Sequence, residues 1–199
     1  MTDSPQSQSP AAALRGFLLR RLVLPVVCMA FVVALSNVLV RFHLNAWLTC
    51  AAFSYPLTYF VTDICNRWAG PALARRVAWA GFVTGVTLSF VFQAGWRIAV
   101  ASGTAFIVSQ LLDIAVFNQL RKKSWWKAPL WGSSAASVID TLIFFSIAFA
   151  GATGANWLKL AAGDLCVKLT MAVVLLAPFR VFIARMGLLK PPDATQPRS

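Results

Sequence analysis

Glutamate is absent from this 199-residue chain, and aspartate occurs only six times. Charged residues make up 12% of it, about half of what the polar shell of a soluble domain carries. With 59% hydrophobic residues and a mean hydropathy of +0.71, the composition excludes a soluble globular protein. Histidine occurs once, as His43 near an expected helix end, where an interfacial residue is the ordinary reading. Cys28, Cys50, Cys65 and Cys166 form no CxxC pair, so neither a disulfide framework nor a zinc site can be argued from them. There is no GxxxxGK(S/T) phosphate loop, no HExxH and no GxSxG. ATP hydrolysis and ordinary hydrolase chemistry have no support, no cofactor or metal is implied, and the length leaves no room for a separate ATPase module.

What the chain does have is long apolar runs. Six can be marked, at Leu22–Val40, Ala46–Cys65, Val77–Gly95, Ile98–Phe117, Ser133–Ala150 and Leu160–Phe179. Each is about 18–20 residues, enough to cross a hydrocarbon core of about 30 Å as a helix. The expected fold is therefore all-α, a polytopic membrane protein with six transmembrane helices. Gln93-Ala94-Gly95-Trp96-Arg97 is read as a tight turn, because the runs it separates would be too long as one span. Residues 1–16 are expected to form a disordered tail, 17–186 the transmembrane domain and 187–199 a second tail. The N-terminus lacks the ordered regions of a secretory signal, so the first apolar run is expected to persist in the mature protein.

Net charge is +12, which in a soluble protein would point to nucleic acid. Its distribution points elsewhere. With the N-terminus inside, fourteen of the eighteen basic residues fall in cytoplasmic segments, and only Arg41, Arg97 and Lys159 in outer loops. The positive-inside rule then places both termini in the cytoplasm. The charge is expected to meet anionic lipid headgroups on that side, and no nucleic-acid partner is needed. Trp96, Trp125, Trp126, Trp131 and Trp157 suit an interfacial aromatic belt.

Four of the aspartates, Asp63, Asp113, Asp140 and Asp164, lie inside or beside the apolar runs. A carboxylate at a bilayer centre costs at least about 2.5–3.5 kcal/mol, so such residues face protein or water and are read as functional. Pro56 is expected to kink the second helix. Thr58, Tyr59, Thr62, Asp63 and Asn66 follow it at spacings of three or four, a hydrogen-bonding stripe along one side. The plainer alternative pairs Asp63 with Arg67, Arg75 or Arg76. In the fourth helix Ser109 and Gln110 stand one turn from Asp113; in the fifth, Ser137 precedes Asp140 and Thr141. Neither Asp113 nor Asp140 has a base on its own helix, which favours ligand or proton binding. Asp164 and Lys168 stand at i and i+4 in the order that favours an ion pair, and such a pair gates a path if ligand binding frees one member. Small-residue steps at Ala30/Ala34 and Gly81/Gly85 allow close helix contacts but specify no function.

The run from Ser54 to Gly70, SYPLTYFVTDICNRWAG, with Arg75 and Arg76 after it, resembles the hallmark segment of the queuosine precursor transporter family, close to FPLTxxxTDxxNExYG. The stretches from Ala101 to Asp113 and from Ser137 to Gly151 resemble that family's other two blocks, and Asn37 and Lys168 also fit. The similarity runs from about Asn37 to Pro178. It implies six transmembrane helices in a bacterial inner membrane and import of 7-cyano-7-deazaguanine or its aminomethyl relative for tRNA modification. Asp63, Asn66, Tyr59, Thr62, Gln110, Asp113, Asp140 and Thr141 are the expected substrate-binding set, with Asp164 and Lys168 as gate. A guanine-like base presents two adjacent N–H donors that one carboxylate accepts together. Amides such as Asn66 and Gln110 would complete its edge, and Tyr59 would cover its face. Arg67 stands where the family usually has Glu, and Ala69 where it has Tyr. A charge reversal beside the pocket points to a shifted substrate.

Other readings explain less. A substrate-binding membrane subunit of a multi-component uptake system for another heterocycle or vitamin would dock its partner on helix one. An intramembrane aspartyl protease is opposed by Ala161-Ala162-Gly163-Asp164, which lacks the first glycine of GxGD. A purely structural scaffold leaves the unpaired aspartates unexplained. Homo-oligomerisation is left open.

Overall fold

The computed structural model describes residues 10–45, 48–92, 95–149 and 157–189. Eight helices follow in order: α1 (Pro10–Leu39), α2 (Ala51–Ser54), α3 (Pro56–Ala69), α4 (Pro71–Val91), α5 (Trp96–Leu120), α6 (Lys127–Phe149), α7 (Trp157–Val174) and α8 (Leu176–Arg185). A short antiparallel ribbon, β1 (His43–Asn45) with β2 (Leu48–Thr49), joins α1 to α2. Residues 1–9 and 190–199, which hold most of both expected tails, lie outside the described residues; residues 10–16 continue α1.

Proline and glycine set the joints. Pro56 has no N–H to offer the Ala52 carbonyl, so the second apolar run splits into α2 and α3. Pro178 likewise cannot serve Val174, and the last run splits into α7 and α8 around Leu175. Gly70, at φ +88°, and Pro71 make the one-residue corner between α3 and α4. Gly95, at φ +80°, precedes α5; of the turn expected at 93–97, Gln93 and Ala94 lie outside the described residues and Trp96 and Arg97 belong to α5.

Among the described residues, four helical stretches are long and apolar enough to cross a membrane: Leu22–Leu39, Trp96–Leu120, Lys127–Phe149 and Trp157–Arg185, the last being α7 and α8 together. The other two expected spans do not meet that standard. α3 is only 14 residues, and α4 opens with Arg75 and Arg76 before its apolar part begins.

The burial pattern is inverted relative to a soluble protein. Leu24, Phe31, Phe90, Trp96 and Leu158 are each more than 60% exposed, whereas Thr62, Asn66, Ser109, Gln110 and Asp113 are fully buried. Apolar side chains face outward where lipid would lie, and polar ones face the bundle axis. α5 and α6 pack along each other, and α4 lies against α1 and α5. Gly81 permits the α1–α4 approach: a Cβ there would come 2.7 Å from Met29 Cγ and 2.9 Å from Phe106 Cζ. Met29, Val33, Val77, Ala78 and Phe106 form one apolar cluster; Phe117, Ala128, Phe179 and Ile183 form another nearer α8.

Candidate functional site

α3 enters the bundle between α5, α6 and α7, and its polar stripe meets three other stripes there. The side chains separate into two carboxylate clusters.

In the first, Lys168 of α7 donates to Asp140 Oδ2 of α6 at 2.7 Å and pairs with Asp164 Oδ2 at 2.5 Å. Thr141 donates to Asp164 at 3.0 Å. Tyr59 donates to Ser109 Oγ at 2.9 Å, and Ser109 Oγ lies 3.3 Å from Asp140 Oδ1. The Tyr55 ring lies under the ammonium, with its centroid 5.5 Å from Lys168 Nζ. The expected Asp164–Lys168 pair is present, but it is not self-contained. Asp140 has no base on its own helix, and the fold brings it one from α7. Pairing across helices cannot be read from i,i+4 spacing.

In the second cluster, Asp63 of α3 accepts from Ser133 of α6 at 3.2 Å, and Thr62 Oγ1 lies 3.5 Å from Asp113 Oδ2 of α5. The Asp63 and Asp113 carboxyl groups are thus neighbours, since the adjacent residues Ser133 and Gly132 of α6 touch one each. Gly132 makes room for them: a Cβ on it would come 2.6 Å from Asp113 Oδ1. Asp63 Oδ1, Asp113 Oδ1 and Asn66 Oδ1 are buried and receive no donor from any described residue. Asn66 spends its amide hydrogens on the Ile114 carbonyl at 3.2 Å.

Between the clusters lies a small cavity of about 10 Å³, bounded by Asp63, Ser133, Ser137, Tyr59 and Lys168 on its polar side. That is room for about one water. Phe60, Leu175, Leu176 and Phe179 close the opposite side, and Phe60 meets Phe179 edge to face at 6.5 Å. Of the expected site residues, Tyr59, Asp63 and Lys168 line this cavity. Thr62, Asn66, Gln110, Asp113, Asp140, Thr141 and Asp164 stand behind it. Gln110 cannot complete a ligand edge in this arrangement, because Thr62 donates to its Oε1 and its Nε2 donates to Thr58, both at 2.9 Å.

Arg67 is a further correction. It turns away from the cavity and donates to the carbonyls of Leu188 (2.7 and 3.0 Å), Leu189 (3.5 Å) and Arg121 (2.8 Å). Asp63 therefore does not pair with it, and the charge reversal ties the end of α5 to the chain after α8. Sequence reading also missed Gly132, whose only signal was its place just before the Ser133–Ser137 run.

The family model described as "Putative vitamin uptake transporter" matches residues 49–94 and 86–183. The chain is 32% identical over 192 residues to the queuosine precursor transporter of Escherichia coli (strain K12), covering 83% of this chain and 87% of that one. It is 32% identical over 154 residues to a probable queuosine precursor transporter of Haemophilus influenzae, covering 65% and 66%. A third relative, the probable queuosine precursor transporter of Bacillus subtilis (strain 168), is 33% identical over 60% of this chain and 65% of its own. No solved structure matches the chain.

Proposed function

The chain belongs to the vitamin uptake transporter family, with queuosine precursor transporters as relatives, and from that premise we propose that it imports a queuosine precursor across a bacterial inner membrane. The substrate is 7-cyano-7-deazaguanine, its aminomethyl relative, or both. In this reading all six apolar runs span the bilayer, α2 with α3 and α4 included, and both termini are cytoplasmic. The positive-inside distribution of the basic residues supports that orientation.

The observation that carries the proposal is Asp63, a buried carboxylate at the cavity wall with one oxygen lacking a donor. Two adjacent N–H groups of a guanine-like base would satisfy it bidentately. The ring carbonyl would then meet Lys168 or Ser137 across the cavity, and Phe60 and Phe179 would flank the apolar faces. A base without the paired donors would leave the carboxylate buried and unsatisfied, at a cost of about 1–3 kcal/mol or more. Thr62, Asn66, Gln110, Asp113, Asp140 and Thr141 hold the lining residues in place.

A cavity of about 10 Å³ is closed to any purine-sized ligand. Three of its apolar wall residues, Leu175, Leu176 and Phe179, sit at the break between α7 and α8. Swinging α8 about that break opens the site, and recruiting Asp140 or Asp164 to the substrate loosens Lys168.

Uptake decides it. Cells unable to make either deazaguanine, and lacking an importer of their own, are supplied with this chain alone and with each compound. Queuosine appearing in their tRNA, and lost with Asp63→Asn or Asp140→Asn at normal protein level, is the expected result. Uptake left intact by Asp140→Ala would remove the Lys168 cluster from the mechanism. No uptake despite good expression, with an ATPase partner co-purifying, would favour the substrate-binding subunit.

A further inference from the structure

We infer that Asp63 and Asp113 together form a binding site for one proton, which travels with the substrate. This rests on the transporter reading above and adds the driving ion to it.

Both carboxyl groups are buried, and neighbouring residues hold them together from two sides. Ser133 bonds Asp63 while Gly132, the residue before it, abuts Asp113. Thr62, the residue before Asp63, reaches toward Asp113. Two carboxylates pressed together away from water cannot both stay ionised, so a proton bound between them is what makes the contact favourable. The groups facing the pair offer no substitute. α5 presents Asp113 itself, α6 presents Ser133 and, farther along, Asp140, and α7 presents Lys168, already held by Asp140 and Asp164. Arg67 on α3 is turned to carbonyls, and Arg75 and Arg76 of α4 are exposed.

Asn66 adds a third buried acceptor on the same face of α3. It is fully buried, its amide nitrogen bonds the carbonyl of Ile114, the residue after Asp113, and its oxygen lacks a donor. The junction of α3 and α5 thus holds three acceptor oxygens in want of hydrogen. A metal cation would need the two carboxyl groups spread to admit it; a proton needs only the contact they already make.

The two faces of Asp63 couple proton to substrate. With the proton on Asp113 and bonded to one Asp63 oxygen, Asp63 stays ionised and each of its oxygens keeps a lone pair for the base. The singly protonated pair is then the form that takes the base. Removing the proton leaves two charges that push α5 from α3, the helix that carries Tyr59, Phe60 and Asp63 of the cavity wall. One proton enters with each substrate on the outer side, and both are released inside.

Purified protein in liposomes tests this. A pH gradient of one unit, alkaline inside, should drive about tenfold accumulation of deazaguanine at one proton per substrate. Asp113→Asn, whose amide imitates the protonated acid, should lose that accumulation while exchange of labelled for unlabelled substrate falls far less. Infrared spectra of the substrate-free protein provide a second reading. The carbonyl stretch of a buried protonated carboxyl should be present near neutral pH and vanish in both Asp113→Asn and Asp63→Asn. Accumulation driven by sodium instead, or retained in Asp113→Asn, would overturn the inference, as would a spectrum without that band. Exchange absent from the wild type while the band is present would instead count against the substrate assignment and leave the proton site standing.

Discussion

Along α6, Ser133 and Asp140 are seven residues apart, so the two carboxylate clusters they serve are separated by roughly 10 Å of helix rise. The outer cluster gathers two aspartates around one ammonium, with Lys168 within ion-pair distance of both. The inner one presses two aspartates together with only hydroxyls and a glycine beside them. A low-dielectric interior penalises unbalanced charge in both places; in one a permanent cation offsets one of the two negative charges, and the other calls for a removable one. The permanent cation fixes helices α6 and α7 to each other. The removable one leaves the contact between α3 and α5 conditional, which is what a transport cycle requires.

Breaking the outer cluster should have the largest effect. Lys168→Met leaves the buried Asp140 beside the partly exposed Asp164 with no cation, a cost of about 3–5 kcal/mol when one partner of a buried pair is removed. Thermal unfolding in detergent should show a marked loss of stability, with lower protein levels in cells. Lys168→Arg should recover part of it, since the charge remains while its geometry changes. Equal stability of Lys168→Met and wild type would mean the two clusters do not differ as described.

Gly132→Ala acts on the inner cluster and should cost less, about 1–3 kcal/mol as an overpacked contact. The new methyl would arrive 2.6 Å from Asp113 Oδ1 and 3.3 Å from its backbone oxygen, so the carboxyl must move. Separating Asp113 from Asp63 should reduce concentrative uptake more than it reduces stability. A variant with wild-type accumulation would show that the contact is incidental.

The contrast between the clusters was only half legible in the sequence. Apolar runs and their proline and glycine breaks carry local information, so α5 and α6 lie over the runs marked for them. The aspartates announced themselves because a charge in an apolar run has few innocent explanations. Their partners did not, because Asp140–Lys168 and Asp63–Asp113 are contacts between helices, and periodicity speaks only of neighbours on one helix. Arg67 misled for the same reason. Its place next to the polar stripe implied a charge at the pocket, whereas a side chain that long reaches the carbonyls of Leu188 and Arg121 instead. Gly132 was silent because a missing side chain matters only once the group filling its space is known.

The smallest effects should come from single hydroxyls, and they compare the clusters most directly. Thr141→Val removes a donor from Asp164 Oδ2, an oxygen that Lys168 still holds, together with a long 3.4 Å bond accepted from Lys168, so the loss should be about 0.5–1.5 kcal/mol for the first bond and little more for the second. Ser133→Ala removes the hydroxyl donor that Asp63 Oδ2 has among the described residues, and no cation stands behind it. Its cost should approach that of a buried acceptor left unsatisfied, about 1–3 kcal/mol, and should shrink at low pH, where a second proton on the pair neutralises Asp63. Unfolding of both variants at acid and neutral pH measures the difference. A pH-dependent loss for Ser133→Ala beside a pH-independent one for Thr141→Val is the expected pattern, because only the inner cluster exchanges its counter-ion with solvent.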